Sequence, residues 1–272
     1  MNINRNVINL IGLGILSAGS IVKTETMDIL KNPVLDINRV HNAIIIDGDL
    51  TDLEWGQAVG TGYFVEIEPG ENIRPQEKTE VKVAYDDQNL YVAFWAFADP
   101  KDIRASFQKR DRAWMDDFVA IFLDTYGDAN TGTMIGANPY GIQMDAKNNG
   151  GGNDDPTFDL VYESQGKITD EGYQVEMAIP FSSLSFPDKE VQEWKVGFYR
   201  SLPREKRSQI VWGGFDRTNP CFLCQMGTLI GIQGIKQRGS FEFLPAIVGS
   251  QTAELDQNNT LKKGTAAGEA SL

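Results

Sequence analysis

The sequence is a succession of short, strand-like segments with almost no helical periodicity, and this feature restricts the fold more than any other. Residues 79–85 (TEVKVAY) alternate apolar and polar side chains, as in a strand with one buried face. Residues 90–98 (LYVAFWAFA) and 118–123 (FVAIFL) are apolar throughout, which predicts central strands covered on both faces. Clusters of Asp, Asn and Gly separate the segments. The pattern favours an all-β, antiparallel β-sandwich of the jelly-roll or immunoglobulin-like type.

The same reasoning places further strands along the chain. They are predicted at residues 44–46, 133–138, 141–146, 158–164, 167–169, 173–179, 194–201, 209–212 and 227–232. Pro139-Tyr140 is predicted to form a turn, and Gly166 to separate two strands. One more strand is expected within residues 239–250, whereas residues 254–272 are polar, have no core pattern and are predicted to be mobile.

Charge and histidine content exclude several classes of function. The chain has 25 Lys and Arg against 38 Asp and Glu, a formal net charge of −13. We therefore expect no nucleic-acid partner, because phosphate backbones are bound by basic surfaces. The single histidine, His41, argues against a His-ligated zinc or haem site and against a Ser-His-Asp triad.

The N-terminal 22 residues have the pattern of an export signal. Arg5 precedes an uncharged, largely apolar run at residues 7–22, and Ser17-Ala18-Gly19 offers small residues for cleavage near Gly19. The alternative is an uncleaved anchor, although the run is shorter than the roughly 20 residues that span a bilayer. We therefore predict an exported protein of the periplasm or outer membrane.

The two cysteines, Cys221 and Cys224, lie three positions apart in a Cys-Phe-Leu-Cys segment. Two sulfurs and one remote histidine are too few ligands for a zinc site. In an oxidising compartment the spacing favours a short structural disulfide, with a redox role as the alternative.

Four segments of the sequence carry a resemblance to a known family. They are residues 46–48 with 54–55 (IDG, EW), 90–94 (LYVAF), 114–124 (WMDDFVAIFLD) and 172–181 (GYQVEMAIPF). Together they resemble the carbohydrate-binding module family 9-like domains, a group of β-sandwiches. The resemblance covers residues 36–235, which we take as the domain.

Two shorter segments resemble one particular group of proteins that contain such a domain. Residues 138–141 (NPYG) and 200–204 (RSLPR) are similar to exported bacterial proteins in which such a domain precedes a C-terminal membrane-type β-barrel. The resemblance implies that residues 239–272 contain the first strand of that barrel and then a mobile tail, in a truncated chain. The implied partners are the barrel itself and, indirectly, the outer membrane.

The resemblance also implies a glycan site. Sugar-binding members hold a glycan end between two tryptophans, since indole faces suit the apolar C–H faces of sugars. Trp114 matches the first tryptophan, and Phe215 or Phe222 is the nearest aromatic residue to the second. Asn138 matches a polar contact. The alternative for Trp114 is a capping residue of the core.

The acids Asp116, Asp117, Asp124 and Asp145 lie on or beside two predicted strands, and three interpretations remain open for them. They are solvated turn acids, ligands of a structural calcium ion such as family members bind, or a catalytic pair. Calcium is the only cofactor that the resemblance implies.

Two polar segments also allow two interpretations each. Residues 148–155 (NNGGGNDD) form a solvated loop tip or a loop that faces a ligand or cation. Arg104, Lys109, Arg110 and Arg112 form a solvated loop or a surface for an anionic glycan or a partner domain.

The function we predict is a non-catalytic carbohydrate-binding module of an exported, outer-membrane-associated protein, serving polysaccharide breakdown or uptake. Two positions depart from the family pattern: Ala120 stands where members have a sugar-contacting acid, and Gly136 where they have a basic residue. These departures favour one alternative, a docking or plug module for the barrel without sugar binding. The other alternative is part of a hydrolase acting on glycosidic bonds.

Overall fold

The computed structural model describes residues 30–149, 154–236, 246–251 and 266–271, the last two by their backbone alone. The predicted signal peptide at residues 1–22 lies outside the described residues, and so do residues 150–153 of the predicted polar loop. No helix in these described ranges is long and apolar enough to cross a membrane.

Seventeen strands are found in the described residues, with short 3₁₀ turns as the helical elements. The strands are β1 (Val34–Asp36), β2 (Asn38–Arg39), β3 (Val59–Thr61), β4 (Phe64–Glu68), β5 (Thr79–Tyr85), β6 (Asn89–Phe97), β7 (Phe118–Asp124), β8 (Gly132–Ala137), β9 (Gln143–Asn148), β10 (Asp154–Asp155), β11 (Glu163–Thr169), β12 (Gly172–Pro180), β13 (Trp194–Pro203), β14 (Arg207–Trp212), β15 (Gly227–Ile230), β16 (Ala246–Gln251) and β17 (Ala266–Ser271). The 3₁₀ turns are Leu53–Gly56, Pro100–Asp102, Phe181–Ser183 and Leu223–Gln225.

The strands form two large sheets that pack face to face, which confirms the predicted all-β sandwich. The nine-stranded sheet has the order β1-β15-β13-β7-β8-β9-β10, with β14 between β13 and β4. The six-stranded sheet has the order β11-β12-β6-β5-β2, and β3 also pairs with β5. Most pairs are antiparallel, but β1 with β15 and β2 with β5 are parallel, so both sheets are mixed.

The core lies between the sheets, and alternation along the strands decides which side chains reach it. On β7, Val119, Ile121 and Leu123 belong to the inter-sheet core, where Phe94 of β6 meets Phe198 of β13 edge to face at 6.0 Å. The other residues of β7, Phe118, Ala120 and Phe122, belong to a second cluster on the outer face of the large sheet. Two segments cover that outer face. Residues 104–117 form the first, called the 104–117 segment, and residues 213–226 form the second, called the disulfide loop.

Strand predictions are wrong at three places. Residues 158–162 of the segment predicted at 158–164 are not in a strand, and β11 begins only at Glu163. Residues 44–46 are not a strand, because the chain turns there and the backbone N–H groups of Asp47 and Gly48 donate to a side chain, Glu176, instead of a neighbouring strand. Gly166 does not separate two strands but lies inside β11. Its missing side chain is required there, since a Cβ atom would come within 2.6 Å of the Pro139 carbonyl oxygen.

The C-terminal part also differs from the prediction. The strand expected within residues 239–250 is found as β16, at Ala246–Gln251. The segment at 254–272, predicted to be mobile, contains β17, which pairs with β16 in antiparallel register. Backbone hydrogen bonds suffice for such a pair even where the side chains show no core pattern. Residues 237–245 and 252–265 lie outside the described residues.

Buried hydrogen bonds join the segments that carry the family resemblance. Glu176 on β12 is fully buried and accepts hydrogen bonds from the backbone N–H of Asp47 at 3.1 Å and of Gly48 at 2.7 Å. It also accepts one from the indole N–H of Trp55 at 2.6 Å. Burial raises the pKa of Glu176, against the lowering effect of these donors. The motif residues at 46–48, 54–55 and 172–181 therefore build one structural network.

Candidate functional site

A continuous row of six aromatic rings crosses the outer face of the large sheet. In spatial order its members are Trp114, Phe118, Tyr199, Phe122, Phe222 and Phe215, and neighbouring ring centroids are 4.9 to 6.0 Å apart. We call it the aromatic row. Phe118 and Phe122 are buried, whereas the other four rings are partly exposed. The row therefore connects three residues that the resemblance suggested, Trp114, Phe215 and Phe222.

The register of β7 against β13 creates the centre of the row. Ala120 pairs with Tyr199, and Gly197 pairs with Phe122, so each ring lies beside a small neighbour. Phe118 and Phe122 therefore contact Tyr199 from either side. Ala120 is completely buried, and a Cβ on the adjacent Gly136 would come within 2.7 Å of a backbone oxygen. At these two positions, where the resemblance implies charged groups, the small residues allow close packing.

Polar side chains from β14 and β4 lie along one edge of the row. Arg207 donates to the Ser201 hydroxyl at 2.6 Å and to the Trp114 carbonyl oxygen at 3.0 Å, so its guanidinium is fixed against the backbone of Trp114. Gln209, on the same face of β14, donates to Glu68 at 2.9 Å. These groups offer hydrogen bonds next to an apolar platform, which is what recognition of a sugar requires.

The Tyr199 hydroxyl at the centre of the row stays protonated at neutral pH. Burial raises the pKa of Tyr199 to about 12, partly offset by a hydrogen bond with Ser201 and by the charge of Arg207. A neutral phenol both donates and accepts a hydrogen bond, so it suits hydroxyl groups of a ligand.

The position of Trp114 is compatible with both roles that the sequence left open. Its indole packs edge to face on Phe118 at 5.9 Å and donates to the Asp111 carbonyl oxygen at 3.0 Å. It is nevertheless partly exposed. The ring therefore caps the outer cluster and still presents surface to solvent.

Asn138 does not fit the predicted role of a glycan contact. Its side chain is completely buried, and its amide donates to the Ser106 carbonyl oxygen and to Asp116, each at 2.9 Å. Its oxygen accepts from the backbone N–H of Tyr140 at 3.0 Å and of Ile142 at 2.9 Å. An amide has two donors and two acceptor positions, so nothing is left for a ligand. Asn138 shapes the turn between β8 and β9.

The far end of the row opens into a polar cleft of about 370 Å³. Phe215 forms part of its wall, and the backbone N–H of Phe215 donates to Asn72 at 2.8 Å. The other polar lining residues include Lys31, Glu71, Asn219 and Gln225. The volume lies in the range of small-ligand pockets, which begins at about 300 Å³.

Cys221 and Cys224 are joined in a disulfide, with Cα atoms 5.4 Å apart. The bridge closes the loop that holds Phe222 against Phe122 and buries Leu223 completely. It therefore fixes one end of the aromatic row.

Replacing both Cys221 and Cys224 with alanine is expected to lower the free energy of unfolding by about 2 kcal/mol or less. The closed loop is short, and the entropy removed from the unfolded chain grows with loop length. Urea unfolding of the double variant measures the change, with Ser182→Ala as an exposed control. A loss above about 4 kcal/mol would contradict this assignment.

The predicted calcium ligands Asp116 and Asp117 are buried and bonded to protein groups. Asp116 accepts from the backbone N–H and the hydroxyl of Ser106, at 2.9 and 2.7 Å. Asp117 pairs with the Arg204 guanidinium at 2.9 and 3.2 Å, and also accepts from the backbone N–H of Arg104. Both acids anchor the 104–117 segment. Asp124 likewise accepts three backbone N–H groups of the following turn.

Asp145 alone among the predicted acids lies in a cluster with metal-binding spacing. Oxygens of Asp111, Asp145 and Asp159 lie within 4.8 Å of one another. Arg110 forms ion pairs with all three, so one cation already lies among the three carboxylates. Burial raises the pKa of Asp145, while Arg110 and the N–H of Leu160 oppose this. Calcium binding by this chain remains a prediction.

Comparison with known proteins identifies the fold. The family model "Carbohydrate family 9 binding domain-like" matches residues 46–207. A family 9 carbohydrate-binding module from Caldicellulosiruptor kristjanssonii, solved with cellotriose, is similar at 19% identity and a TM-score of 0.52, over 78% of this chain and 99% of that one. A protein from Bacteroides uniformis ATCC 8492, proposed to bind carbohydrate, is similar at 15% identity and a TM-score of 0.59, over 73% and 98%. Among curated proteins none matches.

Proposed function

The chain belongs to the carbohydrate family 9 binding domain-like family, and from that premise we propose that its sandwich is a non-catalytic carbohydrate-binding module. The observation that carries the proposal is the aromatic row, which places Trp114, Tyr199 and Phe222 partly exposed on one face. Arg207 and Gln209 supply hydrogen-bonding groups along its edge. The cellotriose complex of the structurally similar module supports the class of ligand.

In the proposed binding of a sugar, the rings and the polar groups contribute different interactions. Aromatic faces cover the apolar C–H faces of a sugar and gain from the water they release. The guanidinium of Arg207 and the hydroxyl of Tyr199 then form hydrogen bonds with the hydroxyl groups of the sugar ring. Both protein groups are already held in place by the scaffold. Fixed side chains lose little entropy on binding, which raises affinity.

The setting of the module is also part of the proposal. Residues 1–22 support export to the periplasm or outer membrane. Residues 239–272 support attachment to a C-terminal β-barrel through which polysaccharide fragments would be bound or taken up. Fractionation of cells that express the natural protein tests this location, and a cytoplasmic fraction would refute it.

Titration of the full chain with glucose, cellotriose and xylotriose, followed by tryptophan fluorescence, tests the binding proposal. We expect a saturable shift with at least one sugar, and a loss of affinity of about tenfold or more in Trp114→Ala, since tenfold corresponds to about 1.4 kcal/mol. Tyr199→Ala should weaken binding in the same direction.

Tyr126→Ala is the matched control for this titration. Tyr126 is 53% exposed and follows the end of β7 opposite Phe118, so its loss should not change the affinity. A folded wild-type chain that responds to no sugar in the panel would contradict the proposal.

One observation favours the docking alternative. On the 104–117 segment Phe107 is 80% exposed and Met115 is 73% exposed. Phe107 also stacks on Tyr140 with ring centroids 4.1 Å apart and an angle of 7°. Exposed apolar groups of this size suit a protein partner as well as a glycan. If no sugar in the panel changes the tryptophan fluorescence, and Phe107→Ser associates with the barrel more weakly than the wild type does, docking would be established in place of sugar binding.

A further inference from the structure

Seven of the 25 Lys and Arg residues lie in two short segments on either side of Trp114. They are Arg104, Lys109, Arg110 and Arg112 in one segment, and Arg204, Lys206 and Arg207 in the other. Arg207 joins the segments, since it contacts the Trp114 carbonyl oxygen and lies 3.7 Å from the sulfur of Met115. Cationic side chains therefore lie close to Trp114 in sequence, and Arg207 brings the second segment against its backbone, in a chain whose net charge is −13.

Most of this positive charge is not neutralised within the protein. Arg104, Lys109, Arg112 and Lys206 are exposed, and their side chains form no ion pair in the part of the chain that the structure describes. Arg207 donates to a hydroxyl and a carbonyl oxygen, which are neutral.

The acids of these two segments do not cancel this charge. Arg110 is shared among Asp111, Asp145 and Asp159, and Arg204 pairs with the buried Asp117, so these two arginines add no unpaired positive charge. The unpaired charge is that of the four exposed cations and Arg207. The exposed acid of the second segment is Glu205, which lies between two cations in the sequence, Arg204 and Lys206.

We infer that the glycan bound at the aromatic row is anionic, a chain of carboxylated sugars such as uronic acids; this inference rests on the carbohydrate-binding function proposed above. A neutral glycan needs the rings and hydrogen-bonding groups but gives four unpaired cations no partner. Carboxylates along the chain pair with Arg112 and Lys206 by charge-assisted hydrogen bonds while a sugar ring lies on Trp114. The aromatic platform distinguishes such a glycan from a simple anion.

The overall negative charge does not prevent this recognition. At physiological ionic strength charges are screened over about 8 Å, so a ligand at the site responds mainly to the nearby cations. The same screening makes the binding sensitive to salt.

The test compares oligogalacturonate with cello-oligosaccharide of equal length, by calorimetry on the full chain at 50 and 300 mM NaCl. We expect oligogalacturonate to bind at least tenfold tighter at low salt, and its affinity to fall at high salt. Arg112→Gln and Lys206→Gln should each weaken it by about two- to fivefold, as expected of exposed ion pairs. Binding of the neutral oligosaccharide should not change in these variants.

Lys189→Gln is the matched control, because it removes one exposed charge at a distance. Lys189 precedes β13 and Lys206 follows it, and the ten residues of that strand span about 33 Å. This variant should bind oligogalacturonate like the wild type.

The outcomes separate this inference from the proposed function. Equal or tighter binding of the neutral oligosaccharide would overturn the inference and leave the carbohydrate-binding function standing. Oligogalacturonate binding that persists in Trp114→Ala would be attraction by charge alone, and would also overturn it. A chain that binds neither ligand, nor any sugar of the fluorescence panel, would overturn both.

Discussion

Glu176→Ala is expected to lower the free energy of unfolding by about 3 kcal/mol or more. The substitution leaves three N–H donors, those of Asp47, Gly48 and Trp55, without their acceptor. Each buried donor that loses its partner costs about 1 to 3 kcal/mol. For a domain of this size such a loss lowers the melting temperature by roughly 6 to 12 °C.

Glu176→Gln separates hydrogen bonding from side-chain volume. Both carboxylate oxygens accept N–H donors, so an amide places a donor against a donor at one of them. We therefore expect Gln to destabilise the fold as well, though less than Ala. Thermal unfolding followed by circular dichroism measures both variants, with Glu163→Ala on exposed β11 as the control. A loss below about 1 kcal/mol in Glu176→Ala would refute the network.

Asp117→Ala is expected to cost about 3 kcal/mol, at the low end of the range for breaking a buried ion pair. The Asp117 side chain is completely buried, whereas that of Arg204 is 25% exposed and can still reach water. The substitution also removes the acceptor for the backbone N–H of Arg104. Because that contact anchors the 104–117 segment, we expect weaker sugar binding together with the loss of stability.

A double-mutant cycle identifies the pair as the cause. Asp117→Ala/Arg204→Ala should be less destabilised than the sum of the single variants, because no partly buried charge is left alone. Glu205→Ala, an exposed acid next to Arg204, should change stability by no more than about 0.5 kcal/mol. Urea denaturation supplies these free energies, and additive single variants would show that the pair is not coupled.

Strand positions were largely predictable because they depend on local alternation. The apolar segment at 118–123 is found as β7, buried on both faces as predicted. The prediction was wrong at residues 44–46, where apolar residues pack without joining a sheet. It was wrong at Gly166 too, because a close approach to Pro139 determines that glycine and a single sequence does not show such a contact.

The site was only partly predictable. The resemblance suggested Trp114, Phe215 and Phe222, which the structure connects through the aromatic row. It also suggested Asn138, whose hydrogen bonds are all made within the protein. Sequence reasoning missed Tyr199, Arg207 and Gln209, although alternation of Arg207, Gln209 and Val211 on β14 was a usable signal.

The sequence by itself determined the fold class and the distribution of apolar faces, since both follow from a period of two along single strands. Only the tertiary structure decided which motif residues reach the surface. The pairing of Ala120 with Tyr199, and the contact of Arg207 with Trp114, join positions about 80 to 90 residues apart. Such contacts are fixed by strand register, in which a shift of one residue moves every side chain to the opposite face.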